Sequence, residues 1–280
     1  MGQGKDGFFW EYMEIPQKND DNALEMYTLQ CRNHILKPLA EKYGIDTSDE
    51  AIRAAVDQHN EVCRLIRQIG DFRKEANPRV TGYEFHILTM ASYVAPKHLI
   101  LDKLRETLEE IKTREPDAAD KYRARVVFVG SEVDDVDVIK LVEESGAYVC
   151  ADRFCYGSLP GRDEIILNDE EDVVKQICRQ VQGAQCPRYW DMAKMTGRRD
   201  YVADLAKEYG ADGIIYEQMK FCDPWAYERM IGTIVLRDEH GYPVLAVDRP
   251  YSIGSSGQMR TRVQAFVESI EIKKIQGGKK

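Results

Sequence analysis

The stretch RVVFVGS, residues 125–131, decides the fold of this chain. Four consecutive apolar residues that are closed by a glycine and a serine are typical of a short buried strand. Residues 136–145 then show helical periodicity up to Gly146, and residues 147–151 form a second apolar run. Because a helix separates two apolar runs, this part of the chain predicts a βαβ unit.

The same alternation continues towards the carboxyl terminus. Further strands are predicted at residues 213–216 and 243–247, and further helices at residues 171–182, 198–209, 224–236 and 257–272. We therefore expect an α/β fold in which a parallel sheet of the Rossmann or flavodoxin-like kind carries helices on both faces.

The amino-terminal part of the chain follows a different pattern. Apolar residues recur at helical spacing over residues 19–43, from residue 47 or 48 onwards, and over residues 83–94 and 97–113. This predicts three regions: an irregular segment at 1–19, a helical domain at 20–120 and an α/β domain at 121–280. The aromatic cluster at residues 8–10 lies in the irregular segment and is expected to pack against this chain or a partner.

Composition excludes several classes of function. The 280 residues carry 39 basic and 48 acidic side chains, so the net charge is −9. Such a charge disfavours nucleic acid and anionic lipid as general partners. The sequence contains no apolar run near the length of a membrane helix, and the start at Met1 lacks the apolar core of a secretory signal. Seven scattered cysteines in such a chain indicate free thiols or metal ligands in the cytoplasm.

Candidate chemistry lies where the predicted strands end, because ligands of open parallel sheets bind at the carboxyl edge. Cys222 follows the third strand, and Asp223 and Pro224 after it form a good helix start. The positive helix end and nearby Lys220 are expected to lower the pKa of the thiol, which favours metal binding. The alternative is a buried packing cysteine beneath the helix.

The other cysteines give weaker signals. Cys155 follows the second strand, between Arg153 and Gly157, and is a second candidate ligand; the alternative is packing. Cys186 lies in a loop before Pro187, where packing is the stronger interpretation. The remaining four are expected in the core: Cys31, Cys63, Cys150 and Cys178. The five histidines do not cluster, and no Cys-x-x-Cys pair occurs.

Six short motifs occur in a fixed order, at residues 152–158 (DRFCYGS), 186–188 (CPR), 212–215 (DGII), 220–223 (KFCD), 257–262 (GQMRTR) and 265–268 (AFVE). Together, and in this order, they resemble the motifs of the benzoyl-CoA reductase / 2-hydroxyacyl-CoA dehydratase family. The resemblance covers about residues 15–274, and the ending at 268–274 is more similar to the benzoyl-CoA reductase branch.

The resemblance implies a cytoplasmic, oxygen-sensitive enzyme of two homologous subunits, each with a [4Fe–4S] cluster. A separate ATP-hydrolysing activator would supply low-potential electrons to reduce an aromatic acyl-CoA. The alternative is a 2-hydroxyacyl-CoA dehydratase subunit, in which an electron enters the thioester and water is expelled. Cys222 matches the family's cluster cysteine; Cys155 and Lys220 are further candidates for cofactor binding.

The chain departs from the family in one respect. Family subunits have an additional amino-terminal α/β domain that supplies the other cluster cysteines, and this chain is expected to begin after it. Cys222 alone could not hold a cubane cluster, so activity is expected only with partners. Residues 8–10 would then mark the place where the missing domain docked. Two alternatives remain open: a non-catalytic scaffold that binds no cluster, and a plain CoA-binding module.

Overall fold

The structure is a computed structural model, and its fold is the predicted α/β architecture. It describes residues 2–3, 9–116, 121–158, 163–183, 186–189, 192–251 and 256–277. At the amino terminus, β1 (Gly2–Gln3) pairs antiparallel with β2 (Phe9–Trp10), so the segment predicted to be irregular contains a short hairpin. Phe8 lies outside the described residues, and Trp10 is about half exposed.

The helical portion contains the predicted helices. They are α1 (Asp21–Cys31), a π-helical turn (Arg32–Leu36), α2 (Lys37–Tyr43), α3 (Asp49–Asp71), α4 (Gly82–Val94) and α5 (Lys97–Thr113). Side chains of Asp20, Ser48 and Thr81 accept the first free amides of α1, α3 and α4. The single helix predicted over residues 19–43 is therefore divided by a π-helical turn, and it ends at Gly44 with φ of 65°.

The α/β portion contains four strands and five helices among the described residues. They are β3 (Ala124–Val129), α6 (Val136–Glu144), β4 (Ala147–Arg153), α7 (Val173–Gly183), α8 (Met192–Glu208), β5 (Gly213–Met219), α9 (Asp223–Asp238), β6 (Val244–Arg249) and α10 (Ser256–Gly277). The strands are parallel in the order β4-β3-β5-β6. This order confirms the parallel sheet and places the reversal of strand order between β3 and β5.

Apolar cores cover both faces of the sheet, as the alternating pattern predicts. On one face, α6 and α10 pack on side chains such as Phe128 and Ile215. On the other face, α8 and α9 pack on side chains such as Val127 and Tyr216. All four apolar residues at 126–129 are buried, which is why this run is a continuous apolar block rather than an alternating one.

Buried polar contacts join the helical portion to the sheet. Arg73, which follows α3, donates to Asp152 at the end of β4 (3.0 Å) and stacks on the ring of Phe85 (3.7 Å). Glu143 of α6 accepts the amides of Gly82 and Tyr83 at the start of α4 (2.8 and 3.1 Å). The helical portion thereby supports the carboxyl end of β4, and the division into separate domains at residue 121 stays a prediction.

Within these described ranges, no helix combines the length and the hydrophobicity that crossing a bilayer requires.

Candidate functional site

The candidate site lies at the carboxyl edge of the sheet, where β3 and β5 end side by side. Val129 pairs with Tyr216 in the last register position between these strands. Ligands of open parallel sheets bind where the strand order reverses, which is this place in the present fold. Residues 252–255, between β6 and α10, lie outside the described residues.

A buried carboxylate fixes the two strand ends relative to each other. Oε2 of Glu217 accepts from the amide and the hydroxyl of Ser131 (3.0 and 2.9 Å), and Oε1 lies 2.8 Å from Nε of Arg249. The Ser131 hydroxyl in turn accepts the amide of Met219 (2.6 Å). Since a Cβ at residue 130 would lie 2.5 Å from Glu217 Oε2, only glycine fits there. The sequence identifies these residues as strand-end positions but does not reveal their mutual contacts.

Burial disfavours the charged form of this carboxylate. The side chain of Glu217 is fully buried, and this burial raises its pKa, while Arg249 and Ser131 act in the opposite direction. The carboxylate also lies close enough to Cys222 to raise the pKa of that thiol. The negative charge of Glu217 therefore acts directly on the candidate thiol of Cys222.

Cys222 occupies the N-cap position of α9, one residue before Asp223, which the sequence predicts as the capping residue. Its amide donates to the carbonyl of Met219 (3.1 Å), and its carbonyl accepts the amide of Ala226 (3.0 Å), so the residue is held in the turn and in the helix at once. The thiol is half-buried against the core that α9 covers. Its position at a strand end and a helix start is suited to metal ligation.

The predicted lowering of the Cys222 pKa is wrong. Burial is the largest influence and raises the pKa, and the Trp225 amide only partly opposes it. Lys220 is exposed, and its charge is not among the influences on the thiol. The local sequence shows the helix start and the lysine, but it does not show the packing that desolvates the sulfur.

Phe221 next to Cys222 has an unusual backbone. Its φ of 70° lies in the left-handed region, and it is the one described non-glycine residue there. Its side chain is 99% exposed. A left-handed conformation costs an ordinary residue about 1–2 kcal/mol, and strain of this kind clusters at functional sites. A strained turn and an exposed aromatic ring thus lie directly beside the candidate ligand.

Cys155 and Cys186 come close to Cys222. The indole Nε1 of Trp225 donates to the sulfur of Cys155 (3.4 Å), and burial raises the pKa of Cys155 to about 12. The charges of Cys186 and Cys222 raise this pKa further, and Cys186 acts on Cys222 in the same way. Cys155 and Cys222 pack against the same apolar core, and their assignment as ligands stays a prediction. The sequence indicates only weakly that Cys186 belongs to the candidate site: the one indication is its position in a predicted loop before Pro187.

The other cysteines lie away from this edge. Cys63, Cys150 and Cys178 are buried, which confirms their predicted place in the core. Cys31 is half-buried at the margin of the apolar core between α1 and α7, and its sulfur lies 3.5 Å from that of Cys178. This sulfur pair joins α1 to α7 and belongs to neither the sheet edge nor the candidate ligand set.

The ligand set at the edge is incomplete within the described part of the chain. There, no three side chains of His, Cys, Asp or Glu lie close enough together to hold a metal ion. A [4Fe–4S] cluster needs four cysteine-type ligands. The described residues therefore do not supply a complete ligand set for such a cluster, and the assignment of Cys222 as one ligand stays a prediction.

A cavity of about 200 Å³ opens at the opposite edge of the sheet. Its cationic side chains already have partners: Lys274 contacts Asp212 at 2.7 Å, and Arg125 donates to the carbonyls of Arg73 and Glu75. Because these charges are satisfied within the chain, the cavity is a poor anion site, and the carboxyl edge remains the candidate.

Comparisons with known proteins agree on one family. The family described as "2-hydroxyglutaryl-CoA dehydratase, D-component" matches residues 7–270. The beta subunit of (R)-phenyllactyl-CoA dehydratase from Clostridium sporogenes is 24% identical over 258 residues, which is 91% of this chain and 67% of the relative. A benzoyl-CoA reductase subunit from Thauera aromatica is 24% identical over 273 residues, 95% of this chain and 68% of the relative.

A third relative has the same degree of similarity. The beta subunit of (R)-2-hydroxyglutaryl-CoA dehydratase from Acidaminococcus fermentans is 25% identical over 264 residues, which is 92% of this chain and 68% of the relative. The chain thus spans about two thirds of the length of each of these relatives.

Proposed function

Because the chain belongs to the 2-hydroxyglutaryl-CoA dehydratase, D-component family, we propose that it is a subunit of a heteromeric enzyme acting on an acyl-CoA thioester. The family match over residues 7–270 confirms the resemblance found on the sequence motifs. The relatives are named as subunits of dehydratases and of a reductase, which supports a role as one subunit among several.

The observation that carries the proposal is the position of Cys222. It lies at the carboxyl edge, at the N-cap of α9, and within charge reach of two further cysteines. We propose that its thiolate is one ligand of a [4Fe–4S] cluster, whose other ligands lie outside the described residues. Such a cluster, when bound, supplies single electrons at low potential. An ATP-hydrolysing activator is the proposed source of these electrons.

The residues around Cys222 have separate tasks in this proposal. The contacts of Glu217 with Ser131 and Arg249 hold the two strand ends together. They thereby restrict the movement of the turn after β5, which carries the thiol. The indole of Trp225 belongs to the core against which Cys222 packs, and its Nε1 donates to the sulfur of Cys155 (3.4 Å). The ring of Phe221 projects outwards, where a thioester or a partner chain would approach.

Two reactions fit this arrangement, and each has its own support. The ending at residues 268–274 resembles the reductase branch and supports reduction of an aromatic acyl-CoA. The family description and the phenyllactyl-CoA relative support elimination of water from a 2-hydroxyacyl-CoA. We give reduction first place on the sequence motif and keep dehydration as the second candidate.

A non-catalytic scaffold is the third candidate. It is favoured by the incomplete ligand set in the described part of the chain. It predicts that the chain assembles with partner subunits but contributes no ligand to iron.

The experiment that separates these candidates is an anaerobic turnover assay of the complex co-purified with its partner subunits. The complex is supplied with ATP, a reduced activator and either benzoyl-CoA or phenyllactyl-CoA, and the products are identified by mass spectrometry. A reduced ring supports the reductase, and a cinnamoyl-type product from loss of water supports the dehydratase. No product with either thioester, and the same complex stability in Cys222→Ser as in the unchanged chain, would favour the scaffold.

A further inference from the structure

Helix α9 has two apolar faces, although only one of them is buried within the chain. Trp225, Gly232 and Leu236 lie on the buried face and pack on the sheet, with Gly232 against the ring of Tyr216. A surface helix of a globular protein usually carries one apolar face and one polar face. The second apolar face of α9 therefore needs an explanation.

This second face, the α9 seam, consists of Tyr227, Met230 and Ile234. Their exposed fractions are 57%, 58% and 50%. The spacing of three and then four residues places them in one line, which is the a/d spacing at which two helices interdigitate. A single exposed apolar side chain is ordinary, but a contiguous row marks an interaction surface.

The ends of the α9 seam carry opposite charges at equal distances from its centre. Asp223 lies seven residues before Met230, and Arg237 lies seven residues after it, and both are exposed. In an antiparallel pair of α9 helices centred on Met230, each Asp223 faces the Arg237 of the other helix. A parallel pair would instead bring like charges together, which disfavours it.

Arg237, the charged residue at the carboxyl end of the α9 seam, can exchange its present partner at little cost in free energy. Arg237 contacts the neighbouring Asp238 at 2.7 Å, and both side chains are more than half exposed. Exposed ion pairs contribute about 0–1 kcal/mol, so a second molecule can take over this arginine.

We propose that the α9 seam is a two-fold interface at which a second copy of this chain docks, with its α9 antiparallel and Met230 at the axis. A two-fold interface requires a self-complementary surface, and the seam with its opposite end charges has this property. The row of apolar side chains would form the centre of the interface, and Asp223 and Arg237 would form its rim. The proposal does not rest on the proposed chemistry, although Asp223 of the rim lies next to Cys222 and its charge acts on that thiol.

The first test is sedimentation equilibrium of the full chain between about 1 and 100 µM, a range that covers interfaces of ordinary strength. We expect a monomer–dimer equilibrium. Met230→Glu should weaken dimerisation by about 100-fold or more, because two like charges would meet at the axis. The matched control is Leu99→Glu on α5, since Leu99 is an exposed apolar side chain (64%) on another helix. This control should dimerise like the unchanged chain.

The second test addresses the antiparallel arrangement. Asp223→Arg and Arg237→Asp should each weaken the dimer by several-fold to tenfold, and the double variant should restore it because the opposite charges face each other again. Circular dichroism checks that each variant is folded. A monomer at all concentrations, equal loss in Leu99→Glu, or a double variant weaker than both single variants would overturn the proposal. Dimerisation only with a different added subunit would overturn it as well.

Discussion

Replacement of Phe221 by glycine should stabilise the chain although it removes a large side chain. The left-handed backbone at Phe221 costs about 1–2 kcal/mol, which glycine does not incur. The ring is 99% exposed, so its removal gives up almost no buried apolar area. The greater freedom of glycine in the unfolded chain takes back about 0.5–1 kcal/mol. The net expectation is a gain of about 0.5–1 kcal/mol in the free energy of unfolding.

The matched control is Phe221→Ala, which removes the same ring but keeps a Cβ in the left-handed region. We expect its free energy of unfolding to stay within about 0.5 kcal/mol of the unchanged chain, as for most surface substitutions. Equilibrium denaturation in urea measures both variants, with the slopes compared to detect changes in the unfolded state.

A strained turn is refuted if Phe221→Gly is no more stable than Phe221→Ala. It is equally refuted if both variants lose more than about 1 kcal/mol, since the ring would then be packed. In the assembled enzyme both variants lack the same ring. Equal losses of thioester turnover together with unequal stabilities would therefore assign the turnover to the ring and the stability to the turn.

Three further predictions concern contacts within the fold. Gly130→Ala should lower the free energy of unfolding by about 1–3 kcal/mol, because the added Cβ would meet the buried carboxylate of Glu217. The matched control is Gly197→Ala on α8, where the space around the residue is open and the substitution should be neutral or stabilising. Urea denaturation measures the free energy of unfolding of both variants. Burial raises the pKa of Glu143 from 4.5 to about 7, so the folded chain holds a proton that the unfolded chain releases, and stability should fall by about 3 kcal/mol as the pH rises from about 4.5 to 7. Glu143→Gln should be less stable overall and should lose this pH dependence in the same titration; an unchanged slope would contradict the assignment. Mild treatment with peroxide should oxidise Cys31 and Cys178 to a disulfide, because their sulfurs are neighbours; two protons and two electrons pass to the peroxide, which is reduced to water. Peptide mass spectrometry should identify this disulfide, and a disulfide between other cysteines would contradict the prediction.

The sheet could be predicted because its signal is local. The run at residues 126–129 is apolar without interruption and is buried on both faces of the sheet, so sequence alone identifies it. The helix starts near residues 20–21 and 47–48 were equally visible, since a capping side chain lies next to the residues that it serves; the structure shows that Asp20 and Ser48 are the caps. The π-helical turn inside the first helix has no such local signal, and the sequence does not reveal it.

The site could be predicted only in part, because its contacts are long-range. The rule that sites follow strand ends located Cys222 and Cys155, which the structure brings near each other. The role of Glu217 depends on Ser131, 86 residues away, and on Arg249, so no local pattern could reveal it. The predicted direction of the pKa shift of Cys222 was wrong for the same reason, because the burial of its sulfur depends on distant parts of the chain.

The central claim, that Cys222 is a cluster ligand, is tested most directly by iron and acid-labile sulfide in the strictly anaerobic complex with its partner subunits. We expect about four irons for each cluster-bearing subunit of the unchanged complex. Cys222→Ser should lose the iron that this subunit helps to hold, while Cys63→Ser, which changes a buried cysteine of the helical portion, should keep it. Circular dichroism confirms that both variants are folded. Equal iron and sulfide in the two variants would contradict the claim and return Cys222 to the role of a packing residue.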